Sequence, residues 1–156
     1  MLHYNFYKSD HPSNQLLILL HGFISDSQTY MNHIEAFLTQ CNILTIDLPG
    51  HGKDDSPIDQ TWDFPYITEQ INRVLSQFEK YKFSLLGYSM GGRVALYYAI
   101  YGQYEIKQLI LESTSPGIAD EALRKERQAI DQARGRVLEI AGIEVFVNDW
   151  EKLPLF

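Results

Sequence analysis

The residues with the most chemical potential are Gly87-Tyr-Ser-Met-Gly91, which match G-x-S-x-G. A serine hydroxyl becomes a nucleophile when a base takes its proton and nearby donors hold the oxyanion that forms. Presenting it on a sharp strand-to-helix turn exposes the hydroxyl, and the crowded backbone there requires small neighbours on both sides. Gly87 and Gly91 supply that room, and Gly92 lets the following helix pack closely on a sheet. The start of that helix adds a positive dipole end and unpaired N–H groups beside Ser89. Taken alone, the pentapeptide also fits a loop serine flanked by glycines that serve packing.

His21-Gly-Phe23 narrows the choice, because it ends the apolar run Leu16–Leu20 and opens a loop able to reach Ser89. The backbone N–H of Phe23, with that of Met90, would make a two-donor cradle for a developing oxyanion. The His21 side chain is expected only to order that loop. Asp47-Leu-Pro-Gly-His-Gly52 is a third landmark, a glycine-bracketed turn with a structural role in which His51 fixes the loop.

The elements that must position these groups follow from the apolar pattern. Leu16–Leu20 is continuous rather than alternating, as in a parallel strand buried on both faces. Residues 42–47, 82–87 and 106–112 read as three further strands, and His3 to Tyr7 as a more exposed edge strand. Between them, Ile67, Ile71, Val74 and Phe78 step by four, three and four, which places one apolar stripe against a sheet. Residues 89–100 read as a buried helix and 30–38 as a short amphipathic one. The alternation predicts the α/β class with a mostly parallel sheet. Near Ser113 the composition changes. Ser113-Thr-Ser-Pro-Gly117 is a loop, and a charged helix is expected over 120–139, with Arg124, Arg127 and Arg134 on one side. Residues 1–112 therefore read as a core unit and 113–156 as the start of a helical insertion.

Composition bounds the partners. The chain has 156 residues, 13 basic against 20 acidic, a formal charge of −7. Such a surface repels a phosphate backbone, so no nucleic-acid partner is expected. No apolar run approaches the roughly 20 residues of a membrane span, and Met1 to Asp10 is polar and mixed, so a cytoplasmic protein without membrane partner is expected. Four of the six arginines lie between residues 124 and 136, and Arg93 follows Ser89 by one turn. An acidic protein that holds an anionic ligand needs local positive charge, and arginine grips carboxylates with two hydrogen bonds. Arg124, Arg134 and Arg136 read as a solvated helix face paired with nearby acids.

The three landmarks occur in the order and spacing of the α/β-hydrolase superfamily, which the chain resembles. More narrowly, Gly87-Tyr-Ser-Met-Gly-Gly-Arg93, Glu112-Ser-Thr-Ser-Pro-Gly117, Glu126-Arg127-Gln128 and Phe146-Val-Asn-Asp-Trp150 are similar to the 2-succinyl-6-hydroxy-2,4-cyclohexadiene-1-carboxylate synthases of menaquinone biosynthesis. That resemblance implies a lyase that eliminates pyruvate from a polycarboxylate cyclohexene intermediate, without metal or organic cofactor. It implies Ser89 as the catalytic serine, carboxylate binding by Arg93 and Arg127, and Trp150 lining the pocket.

One departure stands out. In this fold the order is Ser, then Asp or Glu, then His. The five histidines, His3, His11, His21, His33 and His51, all precede Ser89. Asp120, Asp131 and Asp149 follow it within the helical insertion. The resemblance implies two further strands carrying the missing pair, so the chain is expected to be the N-terminal part of a longer enzyme and inactive by itself. The strand at 106–112 would then offer a bare edge, either to itself in a second copy or to the missing C-terminal segment. Two other readings stay open: an ester or thioester hydrolase on the same fold, or a non-catalytic binding module if 156 residues are complete.

Overall fold

The run Leu16–Leu20 becomes the middle of a five-stranded sheet in the computed structural model, which describes residues 1–153. Strand β2 (Gln15–Leu20) lies parallel to β3 (Asn42–Ile46) on one side and to β4 (Lys82–Tyr88) on the other, with Leu17 opposite both Ile43 and Ser84. β1 (Tyr4–Tyr7) closes one side, antiparallel to β3, and β5 (Ile106–Glu112) flanks β4 in parallel. The order is β1-β3-β2-β4-β5. The sheet is thus mostly parallel, as the unbroken apolar runs implied, with an antiparallel strand at its exposed N-terminal edge.

Burial on both faces of β2 sorts its side chains. Leu16, Ile18 and Leu20 join Leu44, Ile46, Ile71, Val94 and Tyr98 in one cluster. Leu19 joins Tyr30, Ile34 and Ile43 in another. Helices α2 (Phe64–Leu75) and α3 (Met90–Tyr101) supply the first cluster, and α1 (Met31–Leu38) supplies the second. A 3₁₀ turn over Ser27–Tyr30 leads into α1. Helix α2 starts three residues before the predicted stripe, because the Asp63 carboxylate accepts the Tyr66 N–H at 2.9 Å and Pro65 suits a first turn. It ends at Leu75, so Phe78 packs on the core from beyond the helix rather than on its stripe.

The chain divides into two compact units, Met1–Pro116 and Gly117–Phe156. The loop after β5 stays with the first unit, since the Thr114 hydroxyl donates to the Ser89 carbonyl at 2.7 Å. The second unit is built on α4 (Glu121–Trp150), whose Asp120 cap accepts the Leu123 N–H at 2.9 Å. This helix runs eleven residues past the predicted end and breaks at Gly142, where φ is 82° and ψ is 173°. Residues 154–156, the end of the expected insertion, lie outside the described residues. No helix among the described residues is long and apolar enough to cross a membrane.

Candidate active site

Ser89 caps α3 directly after β4, with φ 51° and ψ −111°. A non-glycine residue there is strained, and strain of this kind persists only where its surroundings hold it. Three features hold it here. The Ser89 N–H donates to the Glu112 carbonyl at 2.9 Å, and the Ser89 carbonyl accepts the Gly92 N–H at 3.1 Å besides the Thr114 hydroxyl. The glycines let the strand and helix approach: a Cβ on Gly87 would lie 2.6 Å from the Gly92 Cα, and one on Gly91 would collide with the Leu20 and His21 carbonyls. Gly92 makes room chiefly for the Thr114 side chain, 2.6 Å from its own would-be Cβ, where the sequence had suggested packing on the sheet. Met90 opens α3, and a first-turn amide has no acceptor within its helix.

The loop after β2 lies beside this turn. A Cβ on Gly22 would be 3.6 Å from the Ser89 Cβ and 2.9 Å from Tyr88, so the residue preceding Phe23 sits against the serine. Ile24 follows with φ 54°, an outlying conformation for a β-branched residue. Ser113, just after β5, has φ 48°. Among the described residues, the three non-glycine residues with positive φ thus follow β2, β4 and β5, at the carboxyl ends of adjacent parallel strands. That rim is where open α/β sheets bind ligands.

Several buried groups fix the loop. The His21 ring accepts the Leu48 N–H at Nε2 (3.0 Å), so its proton sits on Nδ1, 2.8 Å from the Gly22 carbonyl. Burial holds this imidazole below the usual histidine range, neutral as its bonding requires. His51 makes a local bond, Nδ1 to the Pro49 carbonyl at 2.9 Å, and packs between the rings of His21 and Phe23. Two further residues give sequence reasoning no local signal. Tyr30 donates its hydroxyl to the Leu20 carbonyl at 2.9 Å, and burial raises its pKa. Asp47, 1% exposed, accepts the Ser27 N–H (2.8 Å), the Lys53 N–H (3.0 Å) and His3 Nδ1 (2.9 Å). Burial alone would raise its carboxyl, but these donors outweigh it and hold the pKa below the ordinary 3.8.

Arg93 lies one turn beyond Ser89, its guanidinium 3.5 Å from the Ser115 hydroxyl, a weak contact that leaves its donors available. No histidine ring is bonded to the Ser89 hydroxyl among the described residues. The His3–Asp47 pair is spent on holding loops. The first unit therefore assembles Ser89, the Phe23 and Met90 segments and Arg93 without a base.

Arg127 and Trp150 belong to the second unit. Asp131, one turn on, takes the Arg127 Nε at both oxygens, 2.8 and 2.9 Å. The Nη fork makes no further hydrogen bond among the described residues. Arg124 donates to the Ile118 carbonyl at 3.1 Å and so ties down the loop before α4. Arg134 departs from the expected solvated face: its guanidinium carbon lies 4.9 Å from the centroid of the Trp150 ring. Phe146 stacks on the same ring at 6.0 Å.

Residues 15–139 match the family profile described as alpha/beta hydrolase fold. The 2-succinyl-6-hydroxy-2,4-cyclohexadiene-1-carboxylate synthase of Serratia proteamaculans (strain 568) is 34% identical over 141 residues, covering 90% of this chain and 54% of the relative. The synthase of Escherichia coli O139:H28 is 32% identical over 149 residues, covering 96% and 58%. A solved structure of MenH from S. aureus superposes with a TM-score of 0.96 at 60% identity, covering all of this chain and 59% of that one. The chain thus spans little more than half the length of the relatives it matches.

Proposed function

The chain belongs to the α/β-hydrolase fold family, and on that premise we propose that it forms the nucleophile-bearing part of a 2-succinyl-6-hydroxy-2,4-cyclohexadiene-1-carboxylate synthase, a lyase of menaquinone biosynthesis acting in the cytoplasm. The observation that carries this reading is the strained Ser89 turn packed against Gly22, where an added Cβ would stand 3.6 Å from the Ser89 Cβ. In the reaction the activated Ser89 oxygen accepts a carbon-bound proton, the electron pair moves through the ring, and the C–O bond to the enolpyruvyl oxygen breaks. Pyruvate departs as its enolate. The negative oxygen that develops is met by the backbone N–H groups of Phe23 and Met90, at the positive end of α3. Ser89 is the catalytic hydroxyl, activated by an Asp–His pair that this chain does not contain.

The substrate is a small polycarboxylate. Arg93 binds a carboxylate near Ser89, and the Nη fork of Arg127 binds another, while Trp150 offers its ring to the carbocycle. Asp131 bears on this as well as Arg127, because it neutralises part of the charge and occupies Nε, leaving the end-on face of the guanidinium for a planar anion. No metal or organic cofactor enters the reading.

Pyruvate release from the pathway intermediate by the full-length protein tests it. Ser89→Ala should abolish release, and Arg93→Ala should raise KM at least tenfold, the order expected for a lost charged hydrogen bond. No pyruvate, or an undiminished rate in Ser89→Ala, defeats the reading. Turnover of simple aryl esters that is indifferent to Arg93→Ala would instead favour an ester or thioester hydrolase.

A further inference from the structure

The contact between Arg134 and Trp150 does not follow from a straight helix. The two are sixteen residues apart, which in an uninterrupted α-helix is about 24 Å of rise. Their 4.9 Å separation exists because α4 folds back at Gly142, in a backbone region that glycine alone readily occupies. The turn brings the second limb, residues 143–150, against the first. Phe146 is buried at this turn's second limb and stacks on Trp150 with the rings inclined by 22°. On the first limb one carboxylate serves two cations. Asp131 holds Arg127 through Nε and lies 3.6 Å from Arg134 Nη1. A line of charge therefore runs from Arg127 through Asp131 to Arg134 and ends on the Trp150 face.

We propose that Arg134 is a positioning residue for the substrate face of the second unit, setting the plane of the Trp150 ring and, through Asp131, the orientation of the Arg127 fork. This rests on the reading that Arg127 and Trp150 meet the polycarboxylate. A guanidinium held over the face of an indole, here 4.9 Å from its centroid, restricts the ring at little cost in solvation, because arginine is weakly hydrated. The shared carboxylate then couples the ring to the cation that grips the ligand. Lysine keeps the charge but cannot stack as a plane, so it should restore only part of the effect.

The test uses protein labelled with 5-fluorotryptophan, with the Trp150 resonance assigned by its loss in Trp150→Phe. Arg134→Ala should shift that resonance, Gly142→Ala should shift it independently, and Arg134→Lys should fall between. In the full-length enzyme Arg134→Ala should raise KM for the polycarboxylate about 2- to 30-fold, the span of a cation–π contact, with kcat changed less than KM. An unmoved resonance in both Arg134→Ala and Gly142→Ala overturns the proposal. So does a moved resonance with unchanged KM, when Trp150→Ala raises KM. If Arg127→Ala and Trp150→Ala both leave KM unchanged, the substrate reading itself is wrong and the proposal falls with it; the resonance distinguishes that case from failure of the contact.

Discussion

Replacing Asp47 by asparagine should cut one tether of the loop that follows β2 and leave the others. The carboxylate takes the Ser27 N–H on Oδ1 and the Lys53 N–H and His3 on Oδ2, and the Ser27 hydroxyl also supports its charge. An asparagine keeps a single acceptor oxygen, which the two-donor side claims, and its NH₂ then faces the Ser27 N–H. Gly52 closes the space behind, since a Cβ there would be 2.6 Å from Oδ2, so the side chain cannot retreat. A hydrogen bond to a charged acceptor contributes about 1.5–3 kcal/mol, and an unpaired buried donor costs about 1–3 more. Ser27 is buried, so the loss should be about 3–5 kcal/mol, a large part of the stability of a typical domain. Urea unfolding at pH 7.5 should show it as a fall in midpoint of about 1.5–3 M. The sign with pH follows from the lowered pKa. The carboxylate stabilises fully above pH 3.8 and its contribution is lost as pH falls through the lower folded value. The gap between wild type and Asp47→Asn should therefore narrow on acidification. A loss below 1 kcal/mol at pH 7.5, or a gap unchanged as the acid limb is crossed, would refute the reasoning.

Ser89→Gly should abolish turnover yet raise stability by about 1 kcal/mol, because it relieves a strained φ of 51°; thermal unfolding beside the pyruvate assay checks both. Tyr30→Phe leaves the buried Leu20 carbonyl without its hydroxyl donor, and should cost about 1–2 kcal/mol and lower kcat more than KM, measured by urea unfolding and steady-state kinetics. Acidification from pH 8 to 5.5 should destabilise through His21, whose folded pKa lies below 6.5; the contribution is full above 6.5 and falls as protons bind the unfolded chain, and His21→Asn should flatten that limb of the pH–stability curve. The 156-residue chain should self-associate through β5, whose Ile110 and Leu111 are exposed, and Leu111→Lys should shift light scattering toward monomer.

The inner strands were legible because burial on both faces writes continuous apolar runs, and β2 to β4 fall within a residue or two of them; β5 matches its predicted range although most of it is exposed. The Ser89 turn was legible because its crowding demands glycines at fixed offsets. What escaped the sequence was pairing at long range. Asp47 looked like part of a turn, and nothing local marks it as the acceptor for residues 20 positions back and 44 positions back. Tyr30 read as the start of a short helix, while its hydroxyl belongs to the strand before it. The arginines show the same limit: helical periodicity put Arg134 on a solvated side, and only the break at Gly142 sends Trp150 back to it. Gly142, just past the predicted helix end at 139, was the available signal.

The partners of Asp47 set an order of assembly. His3, Ser27 and Lys53 all lie within the first 53 residues, as do β1, β2 and β3. As the chain leaves the ribosome, these three strands and α1 can close before β4 has been made. The Ser89 turn must wait for the Glu112 carbonyl and the Thr114 hydroxyl, some sixty residues later. Synthesis can therefore set the loop after β2 in place first, and the Ser89 turn is folded onto a surface already waiting for it.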